Sequence, residues 1–153
     1  EYALVQWFDA NSPRDAVLIE ASGRRWAPGP NGPTVVDAGS DYSDSGRISG
    51  RTGRATVIGW FFHEIQWRGD NDSNREEFQR RQALVDSAYI SGDPDTVLNV
   101  MRQFGADYLV VGRVEQVRYA GLMPDFSQFL DVAFESGAYR IYRLPRYYEV
   151  GTS

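Results

Sequence analysis

The sequence predicts an α/β domain: a small two-layer or three-layer sheet of about five strands, mostly parallel, with an antiparallel carboxy-terminal hairpin and helices packed on it. Three observations predict this. Continuous apolar runs bounded by turn residues, AVLIE from Ala16 and YLVVG from Tyr108, have the composition of strands buried on both faces. Amphipathic helical patterns separate the earlier runs, which calls for parallel crossovers. The chain closes on two short alternating runs around Ser136-Gly137, a hairpin signal.

In chain order, Tyr2 to Asp9 reads as the end of a helix offering Leu4, Val5, Trp7 and Phe8 for burial, stopped by Asn11, Ser12 and Pro13. Ala16 to Glu20 is the first strand. Ala21 to Asp44 is read as a long loop rich in Gly, Pro, Ser and Asp, interrupted by a short strand at Val35–Val36. Ile48 to Gly53 is a short helix or turn, and Ala55 to Trp60 a second buried strand leading into the loop that carries His63. Asp70 to Asn74 is a polar helix start whose Asp and Ser can cap free amides, followed by a helix from about Arg75 to Tyr89 with Phe78, Ala83, Leu84 and Ala88 near one face. Asp93 caps the next helix and Pro94 takes its first position. Val97, Leu98, Val100, Met101 and Phe104 form its buried stripe, and Gly105 ends it. Tyr108 to Gly112 is the central strand. A short helix from about Asp125 to Phe129 precedes the strands Leu130 to Glu135 and Tyr139 to Leu144.

Composition narrows the function classes. The 153 residues fit one domain with a single core, and the formal net charge of −5 lacks the broad basic face of a general nucleic-acid binder, so no nucleic-acid partner is expected. All sixteen basic residues are arginine. With no lysine a standard P-loop is excluded, and with no cysteine so are disulfides and thiolate metal sites. No apolar run approaches the length of a membrane span. The chain begins at Glu1, directly in a patterned segment, and is expected to be a fragment of something longer.

The segments QWFDANSPRDAVLIEA, SGRTGRATVIGWFFHEIQWR, DPDTVLNVMRQFGADYLVVGRVE with the following Tyr119, and SGAYRIYRLP together resemble the carboxy-terminal soluble domain of the YYY family of large polytopic membrane proteins. The resemblance covers nearly the whole chain. It implies an extracytoplasmic accessory domain of a glycosyltransferase-like membrane protein, in which membrane-embedded loops carry catalysis. The implied partners are the membrane-embedded part of the same polypeptide and a sugar or lipid-linked sugar. The family transfers no active-site residues, so candidate sites rest on local chemistry.

That chemistry concentrates between Gly46 and Arg68. His63 and Glu64 are the candidate catalytic pair, with His63 either a general base titrating near neutrality or a structural hydrogen-bonding group. HE opens a zinc-helix pattern, but Trp67 stands where the second histidine is needed, so no metal is expected. Arg47, Arg51, Trp60, His63, Gln66, Trp67 and Arg68 are the candidate ligand-binding residues. Aromatic platforms and guanidinium forks suit a sugar phosphate, a pyrophosphate or an acidic sugar. Trp26 and Arg54 belong to the same chemistry, and the competing reading pairs these arginines with the domain's own carboxylates. Gly46, Gly50 and Gly53 precede a strand, the wrong context for a dinucleotide fingerprint, and no cofactor is expected. Asp70, Asp72 and Asn74 start like a calcium loop, but Arg75 and Arg81 occupy its required glycine and final positions, leaving a capped helix start. The polar stretch between Asp37 and Asp44 reads as a ligand loop or a solvated connection. Two functions remain: the accessory domain, and an independent small α/β enzyme or binding module for a sugar or phosphorylated ligand.

Overall fold

The computed structural model describes residues 1–38, 46–58 and 67–145. In chain order these form α1 (Tyr2–Asn11), β1 (Val17–Ile19), β2 (Arg25–Gly29), β3 (Gly32–Asp37), α2 (Arg47–Thr52), β4 (Ala55–Thr56), α3 (Asp72–Ile90), α4 (Pro94–Phe104), β5 (Tyr108–Val111), α5 (Arg113–Arg118), β6 (Asp131–Ser136) and β7 (Tyr139–Arg143). A short 3-10 turn covers Phe126–Gln128.

One five-stranded sheet runs β4-β1-β5-β7-β6. β1 is parallel to both β4 and β5, while β7 runs antiparallel to β5 and β6. The expected α/β class, the central position of β5 and the antiparallel closing hairpin are all observed. The chain leaves β1 toward β4 on one side and later crosses to β5 on the other, so strand order reverses between β1 and β5. In open α/β sheets the carboxyl ends of such a strand pair leave a crevice.

Alternate side chains of these strands point to opposite faces. Leu18, Tyr108, Val110 and Ile141 pack with Leu4, Val5 and Phe8 of α1 and Ile48 of α2. Ile19, Leu109, Val111 and Tyr142 pack with Val85, Ala88 and Tyr89 of α3, Val97, Leu98 and Met101 of α4, and Val114 of α5. The fold is therefore three layers deep, and every residue of β5 is buried.

Helix boundaries follow their caps. The Asp93 side chain accepts a hydrogen bond from the Asp95 amide, Pro94 opens α4, and Gly105 closes it in the left-handed region at φ 59°. At the start of α3 the cap is Asn71, whose Oδ1 accepts from the Asn74 amide (2.9 Å), where Asp or Ser had been expected. Asn74 Nδ2 donates to the carbonyls of Arg68 and Gly69, and Asp70 pairs with Arg75. The Asp70–Asn74 segment is thus a helix entry.

Two expectations need correction, and one helix was not expected. The expected loop after Ala21 contains the antiparallel ribbon β2–β3, paired from Gly29↔Gly32 to Trp26↔Val35 and, past a register shift, at Arg25↔Asp37, and the short strand expected at Val35–Val36 falls within β3. Its β3 strand is exposed throughout, so it shows no buried-face alternation, and paired Pro28 and Pro33 read as breakers. The second buried strand pairs only at Ala55–Thr56 among the described residues, and its expected end at Gly59 and Trp60 lies outside them. Residues 113–118 form α5, a helix too short for its period to stand out.

Leu109 is wholly buried, paired with Ile19 on one side and Tyr142 on the other. Leu109→Ala is expected to destabilise the fold by about 2–5 kcal/mol, measured as the loss of unfolding free energy in urea with circular dichroism.

Candidate functional site

At the carboxyl end of β1 the apolar strand gives way to Glu20, which is 1% exposed. A buried carboxylate must find donors. Glu20 Oε1 accepts from the Ile48 amide (3.0 Å) and from Arg47 Nη1 (3.3 Å), and Oε2 accepts from the Ser49 amide (3.1 Å). Across the crevice, at the carboxyl end of β5, α5 supplies a second buried carboxylate, Glu115. Its Oε1 accepts from Arg47 Nη1 (3.1 Å) and from the Ala21 amide (2.9 Å), and its Oε2 accepts from Arg47 Nη2 (2.9 Å) and from the Gly112 amide (2.8 Å). Glu1 completes the ring: its Oε2 accepts from Arg47 Nε (2.8 Å) and its Oε1 from the Arg113 amide (2.6 Å).

One guanidinium thus serves three carboxylates. Gly112 makes this possible, since a Cβ there would lie 2.5 Å from Arg47 Nη2 and 2.7 Å from Glu1 Oε1. Burial pushes the Glu20 carboxyl up to about 7, with Glu115 adding to the effect and Arg47 and the Ile48 and Ser49 amides opposing it. Burial also pulls the Glu1 carboxyl upward, but the hydrogen bond and charge of Arg47 and the Arg113 amide more than offset it, holding Glu1 below its ordinary value. Burial alone would lower the affinity of Arg47 for its proton. Glu115, Glu1 and Glu20 reverse that and push it well above the ordinary arginine value.

A second polar knot lies behind the first. Asp86 of α3 is buried and its Oδ1 accepts from Ser22 Oγ (2.6 Å) and from the Tyr119 hydroxyl (2.7 Å), while its Oδ2 accepts from Arg24 Nε (2.7 Å). Tyr119 stacks on Tyr89 with ring centroids 4.6 Å apart, and the Tyr89 hydroxyl donates to the Val110 carbonyl (2.7 Å) beside Ile19 of β1. Burial raises both phenols well above their ordinary value, so both act as neutral donors. The segment 20–24 is therefore anchored at nearly every residue, and β2 leaves it in a set direction.

Between β2, the end of β3, α2 and α5 lies a cleft of about 460 Å³ lined by Glu1, Arg25, Asp37, Arg47, Arg51, Arg113, Val114, Val117 and Arg118. Arg47 and Arg51 are one turn apart on α2, and Arg113 and Arg118 flank an apolar strip of Val114 and Val117 on α5. Among the described residues Arg25, Arg51, Arg113 and Arg118 make no ion pair. Several unpaired guanidiniums in one cleft repel each other and attract an anion, which their planar forks can grip through paired hydrogen bonds.

Of the residues expected to bind ligand, the structure brings Arg47 and Arg51 together in this cleft. Trp67 is 89% exposed and lies, with exposed Arg68, beside the start of α3, where the Arg68 guanidinium stands 6.0 Å from the Phe78 ring centre. Neither lines the cleft. Trp60, His63, Glu64 and Gln66 lie outside the described residues, as does most of the polar stretch between Asp37 and Asp44. Arg54 is structural. It donates to the carbonyls of Phe8 (3.0 Å) and Ser12 (2.9 Å), satisfying the end of α1, and pairs with Asp9. Trp26 is half-buried under Arg24, away from the cleft lining.

The sequence reading missed Arg25, Arg113 and Arg118 as site residues, and Glu1, Glu20 and Glu115 as their supports. A weak signal existed for two of these. An acid ending the apolar run at Glu20 needs a buried partner, and Glu115 stands three residues after Gly112, the spacing of a side chain that returns to its helix's first amide.

Fold and cleft define the class: a three-layer α/β domain with an arginine-lined crevice where its strand order reverses. Compared with family models, with curated proteins and with solved structures, the chain matches none.

Glu20 gives this site a pH signature. Its carboxyl holds its proton more tightly folded than at the ordinary value of 4.5, so its contribution is fully present below that value and lost as pH rises through about 7. Between pH 5 and pH 8 the wild type is expected to lose up to about 3 kcal/mol of stability relative to Glu20→Gln, measured by urea unfolding of both chains at each pH.

Proposed function

We propose that this domain is a binding module for a phosphorylated or otherwise anionic sugar, held in the arginine cleft between β2, α2 and α5. The observation that carries this reading is the convergence of Arg25, Arg51, Arg113 and Arg118 on one cleft without ion-pair partners among the described residues. In a chain of net charge −5, unpaired cations gathered on one concave surface are a local exception to the overall balance. The strip of Val114 and Val117 suits the apolar face of a sugar ring or the first carbons of a lipid chain.

Binding without catalysis fits the chemistry best. Glu1, Glu20 and Glu115 beside the cleft are occupied by Arg47 and backbone amides, which leaves them poor candidates for moving protons on a substrate. An accessory role matches the resemblance to a tail of a glycosyltransferase-like membrane protein, where the domain would present a lipid-linked or phosphorylated sugar to the membrane-embedded part. Among the described residues no helix is long and apolar enough to cross a membrane.

The test is titration of a sugar 1-phosphate into the domain at low salt, followed by calorimetry. Binding is expected to weaken with added salt and to fall by about tenfold or more in Arg113→Ala and in Arg118→Ala, since each removes a charge-assisted hydrogen bond of about 1.5–3 kcal/mol. Equal affinity in both variants, with unchanged circular dichroism, would overturn the assignment of the cleft. Arg47 is unsuitable for this test, because removing it leaves buried carboxylates unpaired.

A further inference from the structure

Arg47 belongs to two structures at once. It lines the cleft, and it is the cation of a buried cluster in which the side chains of Glu20 and Glu115 are both fully hidden from solvent. With all three carboxylates ionised this cluster carries two negative charges in excess of its one guanidinium. Any anion seated against the cleft face of Arg47 adds charge of the same sign next to that excess.

We propose that anion binding in the cleft is coupled to uptake of one proton by Glu20, so that the domain holds its ligand more tightly as pH falls through neutrality. This rests on the reading that the cleft binds an anion. The proton comes from solvent and goes to Oε2 of Glu20, which accepts only the Ser49 amide, whereas Oε1 accepts from both the Ile48 amide and Arg47. No bond in the ligand changes.

The groups facing Glu20 leave it as the member able to take the proton. Arg47 of α2 is held cationic by its partners. Glu115 of α5 is engaged through both oxygens by the two Nη groups of Arg47 and by two amides. Glu1, ahead of α1, is held below its ordinary value. Tyr89 of α3 is already neutral. Glu20 has the weakest hold on Arg47, a single contact at 3.3 Å, and its carboxyl titrates at about 7. Coupling runs both ways. Sulfate beside Arg47 draws a proton onto Glu20, and a proton on Glu20 frees charge on Arg47 for sulfate.

Sulfate is the right probe because it remains a dianion across the whole range, whereas a phosphate ester would bring its own titration. Calorimetry of sulfate binding in two buffers of different ionisation enthalpy reads the protons taken up. Near pH 7 the wild type is expected to take up a fraction of a proton, and its affinity to rise about fivefold or more from pH 8 to pH 6. Glu20→Gln is expected to bind sulfate with the Glu20 share of the proton uptake and of the pH dependence removed, and the difference between the two chains cancels any contribution of the single histidine. Binding without buffer dependence in the wild type, or uptake undiminished in Glu20→Gln, overturns the coupling and leaves the cleft assignment standing. No sulfate binding at any pH overturns both. If Glu20→Gln does not fold, carbon-13 NMR of the wild-type Glu20 carboxyl decides. A titration midpoint raised by saturating sulfate supports the coupling, and an unmoved midpoint refutes it.

Discussion

The guanidinium of Arg47 is the contact on which the rest of this site depends. It ties together four pieces of chain that no local interaction would bring near one another: the residue ahead of α1, the end of β1, the start of α2 and the start of α5. A planar fork with five donors can do this, and a point-charge ammonium could not serve Glu115 through two parallel bonds while also meeting Glu1 and Glu20. The geometry is close enough that a side chain at position 112 would collide with it.

Such a cluster is poor evidence for stability. Desolvating three carboxylates and a guanidinium costs about as much as their attraction returns, and apolar side chains of the same size often do as well. What the cluster supplies is position. It locks α2 to the end of β1 through the Ile48 and Ser49 amides and α5 to the same strand through the Ala21 amide, so the cleft walls keep a constant spacing. The Asp86 knot does the same for the segment that launches β2, using Ser22, Arg24 and Tyr119.

The arginines divide by what surrounds them. Arg24, Arg47 and Arg54 are drawn inward by carboxylates and carbonyls, and they hold elements together. Arg25, Arg51, Arg113 and Arg118 reach the cleft from β2, α2 and α5. Their repulsion is tolerable because the cleft is open to water and ions. With fixed walls, the anion proposed for this cleft would meet a site already assembled, and such preorganisation lowers the cost of binding.

The sequence by itself determined the α/β class, the central β5, the closing hairpin and the capped start and glycine stop of α4, because each is written in contiguous residues: an unbroken YLVVG run, an Asp-Pro entry, a Ser-Gly turn. It also marked Arg47 and Arg51 as chemically able, while leaving open whether they meet ligand or carboxylate. Only the tertiary structure decided that Arg47 does the latter with one set of atoms while lining the cleft. It also decided that Arg25 and the arginines of α5 join the same cleft, and that Arg54 spends its donors on the end of α1. Along the chain Glu115 lies 94 residues beyond Ala21, whose amide it accepts, and one residue further still from Glu20; in space one guanidinium spans the two carboxylates. Pairing at that range is set by strand order and by which helix end faces which strand end, and neither leaves a periodic trace in the residues concerned.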